Sequence, residues 1–311
     1  MMQLSYRPYK DEDLSLLQEY VMLWRSQAPY GTYCHAGDIP HRLYNGNRGQ
    51  LNLSEITRIY TLDDTIVAFL LTHPRQDFIN VLINPDFIEN QQDLLLPIIN
   101  DGYQILDSNP LNKADADRTI AIECFADDDA LKQLLSHAGF SEAEEVLVLT
   151  RHNLQHLADV QLLDGFSIRH ATMQDAEQLA LVHNASFGSD WTADLYRNEV
   201  MLKPGYKPEE EFIVVAPNDT FAAFTKIWID SLNKVGLFEP VGTHKDYRRK
   251  GLARSLMTYV MKHMRDSGLQ EAEVCYEVDN SASQALYMGL GFEVRHHITD
   301  CTKTVNQEKK S

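Results

Sequence analysis

Positive charge is the first shortage. The 311 residues hold 28 Lys and Arg against 45 Asp and Glu, a formal net charge of −17. Such an excess argues against nucleic acid or an anionic membrane as partner, because both require a basic face to meet phosphate. Cysteine is scarce too: Cys34, Cys124, Cys275 and Cys301 lie far apart, and none stands at metal-ligand spacing from another. No metal is therefore expected. Cys124 and Cys275 sit in apolar, strand-like runs, which suit buried free thiols. No apolar run approaches membrane-spanning length, and the start, MMQLSYRPYKDEDL, is charged within ten residues. The expectation is a protein without a secretory leader, located in the cytoplasm.

What is present is enough apolar residue, 44%, for well-formed cores, in a chain whose length suits two domains. Hydrophobic periodicity gives a strand at 4–9, a helix at 11–27 and a loop-rich stretch at 30–52 containing a short helix near 39–44. Strands follow at 55–61, 65–73 and 78–83. A helix at 93–106 must place Pro97 in its first turn. A strand (119–124), a helix (128–138) and a strand (145–150) complete the first half. A polar, His-containing stretch at 151–164 reads as a linker. The order then repeats: strand 166–170, helix 173–184 with Thr172 and Asp175 as a capping pair, strands 211–216, 220–229 and 235–243, helix 252–266, strand 271–278, helix 282–290 and strand 292–299. The repetition extends to residues. Tyr6 to Asp13 parallels Ile168 to Asp175, and ADDDALKQLLSHAGF (126–140) parallels VDNSASQALYMGLGF (278–292). Domains are expected at 1–150 and 165–311.

The stretch 234–256, KVGLFEPVGTHKDYRRKGLARSL, is a strand, a basic turn and a helix. A period-2 strand puts Val235, Leu237, Glu239, Val241 and Thr243 on one face, and Pro240, which lacks a ladder donor, marks a bulge or an edge in it. Leu252, Leu256, Tyr259, Val260 and His263 make the buried stripe of the helix. Between the two stand Arg248, Arg249, Lys250, Gly251, Leu252, Ala253 and Arg254: helix-start N–H groups, a glycine that allows close approach, and cations. That combination suits a pyrophosphate. A Ser281 N-cap with Gln284 at N3 opens the helix after Val278, and Gly291 closes it.

The turn, through Arg248, Gly251 and Ala253, resembles motif A of the GNAT superfamily of N-acetyltransferases. The segment Asn280, Leu286, Tyr287, Gly291 and Phe292 is similar to a second signature of that family, with Ala285 displaced by two. The resemblance implies an α/β (α+β) chain of two tandem GNAT folds, each a mixed, mostly antiparallel central sheet flanked by helices. It implies acetyl-coenzyme A (acetyl-CoA) as co-substrate. The pyrophosphate would lie on 248–254 and the pantetheine beside Val241, Gly242, Thr243 and Asn280. Tyr287 would be the general acid toward the departing thiolate. Glu239, partly desolvated on the central strand, is the candidate base, with Asp190, Glu211 and His244 behind it. The acceptor would be a primary amine of a small molecule or protein.

The first copy departs from the pattern. With Asp86-Phe87 aligned on Asp246-Tyr247, the six residues 88–93 carry no Gly or Arg, while Glu89 and Asp93 would face the phosphates. Like-charge contacts of that kind cost on the order of 1 kcal/mol or more each. The first copy is therefore expected to be structural and to shape the acceptor pocket. Aromatics after the first helix of each copy (Trp24, Tyr30, Tyr33 and His35; Phe187, Trp191 and Tyr196) are candidates for that pocket or for core packing. Two other readings stay open: a non-catalytic acyl-CoA-binding regulator, and aminoacyl transfer from charged tRNA.

Overall fold

The computed structural model describes residues 4–28, 33–109 and 117–306. In chain order it has β1 (Leu4–Pro8), α1 (Leu14–Gln27), the short turn α2 (Asp38–Pro40), α3 (Leu53–Ile56), β2 (Thr57–Leu62), β3 (Thr65–His73) and β4 (Phe78–Ile83). Then come α4 (Gln91–Ser108), β5 (Asp117–Phe125), α5 (Asp129–His137) and β6 (Ser141–Asn153). The second half has β7 (Ser167–His170), α6 (Ala176–Phe187), α7 (Ala193–Tyr196), β8 (Glu211–Val215), β9 (Phe221–Asp230) and β10 (Val235–Thr243). It closes with α8 (Leu252–Asp266), β11 (Glu271–Glu277), α9 (Ser281–Leu290) and β12 (Glu293–Asn306). The expected elements are all present. Pro97 lies inside α4 rather than in its first turn, because a 3₁₀ segment at Pro85–Asn90 starts the helix two residues earlier.

The chain forms two compact units. One comprises Met1–Cys34, Gly49–Val148 and His296–Ser311; the other comprises His35–Arg48 and Leu149–Arg295. The sequence places a seam at 151–164. In the structure β6 continues to Asn153, and β12 extends well past the expected 299. Segments are thus traded. The second unit takes His35–Arg48 from the N-terminal half, and the first takes the C-terminal strand, which pairs antiparallel with β5.

Each unit has the same mixed sheet. In the first, β1 to β4 are antiparallel neighbours, and β4 and β5 are parallel. In the second, β7 to β10 are antiparallel, and β10 and β11 are parallel. The core of the first packs Ile98, Ile99 and Leu106 of α4 on Val67, Leu70 and Ile79. In the second, α8 buries Leu252, Leu256, Met257, Val260, Met261 and Met264. Tyr259, expected in that stripe, is exposed, and the three methionines fill the face instead.

The duplication is legible in hydrogen bonds. Arg7 forks onto Asp13 at 2.7 Å, and Arg169 forks onto Asp175 at 2.7 and 2.8 Å. Asp13 and Asp175 also accept the backbone N–H three residues upstream, so this Asp locks the loop and α6 starts after it. Asp128 caps α5 by accepting from Leu131 N, and Asn280 caps α9 by accepting from Ser283 N. Asn280, not Ser281, is therefore the N-cap, since its amide oxygen reaches the second-turn N–H from one residue earlier. Gly139 and Gly291 end these helices at φ of 86° and 95°.

Candidate active site

The site is built where β10 loses a neighbour. β10 pairs with β11 only from Val235 to Leu237, opposite Glu271 to Glu273. Beyond Leu237 its ladder continues on the β9 side alone. A bulge at the same place shifts the β9 register between Phe238 and Val241. Pro240, which has no N–H, sits in it. The bulge carbonyls are met by side chains of β9: Trp228 Nε1 donates to Glu239 O at 3.1 Å, and Thr225 Oγ1 donates to Pro240 O at 2.9 Å.

The bulge corrects the expected strand face. Phe238 is opposite Ile227 and Val241 opposite Thr225, and these two partners share one side of β9. Val241 and Thr243 therefore lie on the side of Phe238, while Gly242 lies on the side of Leu237. A Cβ on Gly242 would come within 2.3 Å of Phe224, so only glycine fits there.

After β10 the turn is held at several points. His244 Nδ1 accepts from Asp246 N at 3.2 Å, so this residue caps a 3₁₀ turn. Arg248 donates to Ser186 O at 2.7 Å and to Thr243 O at 3.4 Å, fastening the turn to the end of α6. Arg249 (φ 61°) and Gly251 (φ 76°) are both left-handed. Gly251 is the N-cap of α8, makes no side-chain cap, and a Cβ on it would meet nothing within 4 Å. The N–H groups at the start of α8 thus face open space. Leu252 is buried and anchors the first turn, Ala253 is half-buried behind it, and Arg249 and Lys250 are exposed. Lys250 Nζ sits 5.0 Å above the Tyr247 ring. Arg254 donates to Gly289 O at 2.6 Å, tying α8 to α9. These residues fit a pyrophosphate: donors and a helix dipole at the turn, with two exposed cations beside it.

Glu239 lies in the bulge of β10 and Tyr287 on α9. Burial drives the Glu239 carboxyl up to about 7, against the lowering charge of Arg42. Tyr287, buried on α9, is pushed up by burial first and by the Glu239 carboxylate second, while Ser283 at its hydroxyl works the other way. The Glu239 carboxylate is thus near enough to Tyr287 to act on its hydroxyl electrostatically. Tyr276 and Phe292 pack against the Tyr287 ring, with centroids 6.2 and 6.0 Å away.

The segment His35–Arg48, contributed by the first half, was not legible as part of this site. His35 Nδ1 accepts from Gly37 N, which leaves Nε2–H to donate to Val235 O at 3.3 Å. Gly37 lies so close to Trp228 that its Cβ would fall 2.1 Å from that side chain. His41 Nε2 reaches 3.7 Å from Glu239 Oε1. Burial first, then Arg42 and Lys226, hold His41 down at about 4, so it is neutral beside Glu239. A His-x-Gly-x-x-x-His pattern (His35, Gly37, His41) in a loop was the available signal, but nothing local ties it to a strand 200 residues away.

The weaker candidates have other work. Glu211 is buried and takes Tyr196 and Tyr206 hydroxyls at 2.8 and 2.5 Å. Asp190 is an exposed ion-pair partner of Arg48 at 2.5 Å. Trp191 and Tyr196 are buried in the α6 core, and Trp24 stacks on Phe69 at 4.9 Å; Phe187 is exposed. Tyr33 donates to Ile83 O. Tyr30 and the Glu89 side chain lie outside the described residues. In the first unit, Asn84 caps Asp86 N as His244 caps Asp246 N. The chain then runs through the 3₁₀ segment into α4, with no left-handed residue among those described at 84–97. Asp93 is exposed in the first turn. Among the described residues no cluster of His, Cys, Asp or Glu could hold a metal, and no helix is long and apolar enough to cross a membrane.

Residues 176–292 match the model of the acetyltransferase (GNAT) family. The chain is 30% identical over 141 residues to a mycothiol acetyltransferase of Segniliparus rotundus, covering 42% of this chain and 53% of that one. With the mycothiol acetyltransferase of Catenulispora acidiphila it shares 28% over 212 residues, 62% and 65% of the two chains. The matched region thus spans about half to two thirds of these relatives. Among solved structures, a GCN5-related N-acetyltransferase from Sphaerobacter thermophilus superposes with a TM-score of 0.66 at 16% identity, covering 97% of this chain and 96% of that one. A tandem GNAT protein from the clavulanic acid biosynthesis pathway gives 0.65 at 13%, covering 99% and 100%. At these identities the structural likeness is one of fold.

Proposed function

From the premise that this is a tandem GNAT-fold chain whose residues 176–292 form a GNAT-family domain, we propose that it is an N-acetyltransferase moving the acetyl group of acetyl-CoA to a primary amine. The amine attacks the thioester directly in a ternary complex, and the site is in the C-terminal copy. The observation that carries this reading is the conjunction around the end of β10. The left-handed turn at Gly251 follows the strand that parts from β11 after Leu237, and the Glu239 carboxylate on that strand acts electrostatically on the Tyr287 hydroxyl.

The pyrophosphate is held by the α8 N–H groups with Arg249 and Lys250, while Arg248 and Arg254 keep the cradle in shape. The pantetheine lies along the unpaired edge at Val241 to Thr243, as an added strand would. Asn280 acts indirectly, by capping the helix that carries Tyr287. Glu239 takes the proton of the incoming ammonium, directly or through one water, and leaves a neutral amine to attack the acyl carbon. The tetrahedral intermediate collapses, the C–S bond breaks, the Tyr287 hydroxyl delivers a proton to sulfur, and the proton shed by the acylated nitrogen restores the tyrosine. The acyl group thus passes from thioester to amide without a covalent enzyme intermediate. The names of the curated relatives make small amines the first acceptors to try.

The test is coenzyme A release across a panel of amines with the full chain. Release that depends on an amine supports the reading. Tight acetyl-CoA binding with no release for any amine favours the alternative, a non-catalytic acyl-CoA-binding regulator.

A further inference from the structure

Lys226 is a charged group near this site whose position the transferase reading does not use. It lies on β9, 4% exposed, with its ammonium 3.7 Å from the Trp228 ring centre and 4.4 Å from that of Tyr206. The aromatic faces attract the cation but offer no hydrogen-bond acceptor in the plane of a lone pair. Among the described residues, no hydrogen bond or ion pair to the Lys226 ammonium is formed. Glu211 stands opposite it across the β8–β9 ladder and, with Glu210, supplies opposing charge, while both Glu211 oxygens hydrogen-bond to tyrosine hydroxyls rather than to the ammonium. A buried ammonium in that state is costly unless something else completes its shell.

Its location says what that something is. The Trp228 indole that Lys226 touches donates to the Glu239 carbonyl at 3.1 Å. Lys226 is also close enough to His41 to depress that imidazole, and His41 Nε2 is 3.7 Å from the Glu239 carboxylate. Trp228 therefore contacts both the Lys226 ammonium and the backbone carbonyl of the residue proposed as base.

We propose that Lys226 is the recognition cation for a carboxylate on the acceptor, so that the substrate is an amine that also bears a carboxylate, such as an amino acid or an amino-acid-like metabolite. This rests on the transferase reading, with the amine at Glu239 and the carboxylate at Lys226. Tyr206 and Trp228 hold the ammonium and cover the apolar part of the ligand between its two polar ends. A single ammonium, with no arginine fork beside it, suits a one-charge oxyanion better than a phosphate, which the nearby Glu211 would repel. Burial lowers Lys226 to about 8, so the site is charged at neutral pH and is charged more firmly once the anion is in place.

The experiment compares matched trios: an amino acid, its carboxamide and its decarboxylated amine, with glucosamine as a neutral amino-sugar control. For the full chain, the expected kcat/KM advantage of the carboxylate member is roughly ten- to a hundredfold. It should vanish in Lys226→Met, which keeps the stem between the rings, and return largely in Lys226→Arg, with acetyl-CoA affinity unchanged in both. A parallel calorimetric titration measures N-acetyl amino acids and the corresponding neutral amides against the coenzyme A complex, without turnover. Preferential binding of the acid, lost in Lys226→Met, supports the assignment even if no turnover is found, in which case only the transferase reading falls. Equal handling of acids and neutral amines in both measurements, or a preference that survives Lys226→Met, overturns it.

Discussion

His41 Nε2 lies 3.7 Å from Glu239 Oε1, so a residue from the first forty-odd positions of the chain stands against the carboxylate proposed as base two hundred residues later. Among the described residues the buried imidazole Nδ1 finds no hydrogen-bond partner. A buried N–H left unpaired costs more than an unpaired lone pair, which favours the tautomer with its proton on Nε2, directed at Glu239. The pair is then a neutral donor facing a carboxylate, and the segment His35–Arg48 holds it there.

This pairing fixes the sign of the pH dependence. Glu239 is raised to about 7 and must be ionised to accept a proton. Activity is therefore present above that value and falls about tenfold per pH unit below it. His41, held at about 4, adds no second break between pH 5 and 8. A kcat/KM profile should show one acidic limb near 7, and Glu239→Gln should abolish the limb along with most of the rate. A wild-type profile flat from pH 5.5 to 8 would remove Glu239 from the role.

Tyr287→Phe should leave the fold intact, because the ring is packed between Tyr276 and Phe292 and only a hydroxyl is lost. Turnover should drop about 10²–10⁴-fold if that hydroxyl protonates the thiolate. Acetyl-CoA affinity should change little. Steady-state kinetics beside a calorimetric Kd separates the two effects, and an unchanged kcat would exclude the assignment.

Gly251→Ala tests the cradle through the backbone. No atom lies within 4 Å of the new methyl, so any effect comes from forcing an L-residue to φ 76°. That strain is worth roughly 1–2 kcal/mol, which should weaken acetyl-CoA binding about five- to thirtyfold. Arg249→Ala with Lys250→Ala should weaken it as well and flatten its salt dependence. Titrations at two ionic strengths would reveal either result, and wild-type affinity in both variants would count against the pyrophosphate site.

One acetyl-CoA should bind per chain. The first unit runs straight from its 3₁₀ segment into α4, with no left-handed turn among the described residues and Asp93 in the first helical turn. A calorimetric stoichiometry of two would show that the first copy had kept a site of its own.

Much of the fold could be read from the chain because local periodicity and capping chemistry agree with the final structure. Asp13 and Asp175 lock matching loops, and Asp128 and Asn280 cap matching helices. The turn at Gly251 was equally legible, since its geometry is set by neighbours in sequence. The bulge was half-legible: Pro240 announced it, but only the ladder with β9 shows that it moves Val241 and Thr243 to the other face. His41 and Lys226 were not legible at all. One depends on where a loop lands, and the other looks like any lysine in a strand until Tyr206 and Trp228 are seen around it.

The traded segments have a practical corollary for anyone wishing to work with half of this molecule. A gene fragment ending near residue 150 encodes a sheet lacking the strand that borders β5, and one beginning near 165 encodes a second unit stripped of His41. Co-expressing the two pieces, or joining them in reversed order through a new linker, are the constructions that would restore every element to its unit.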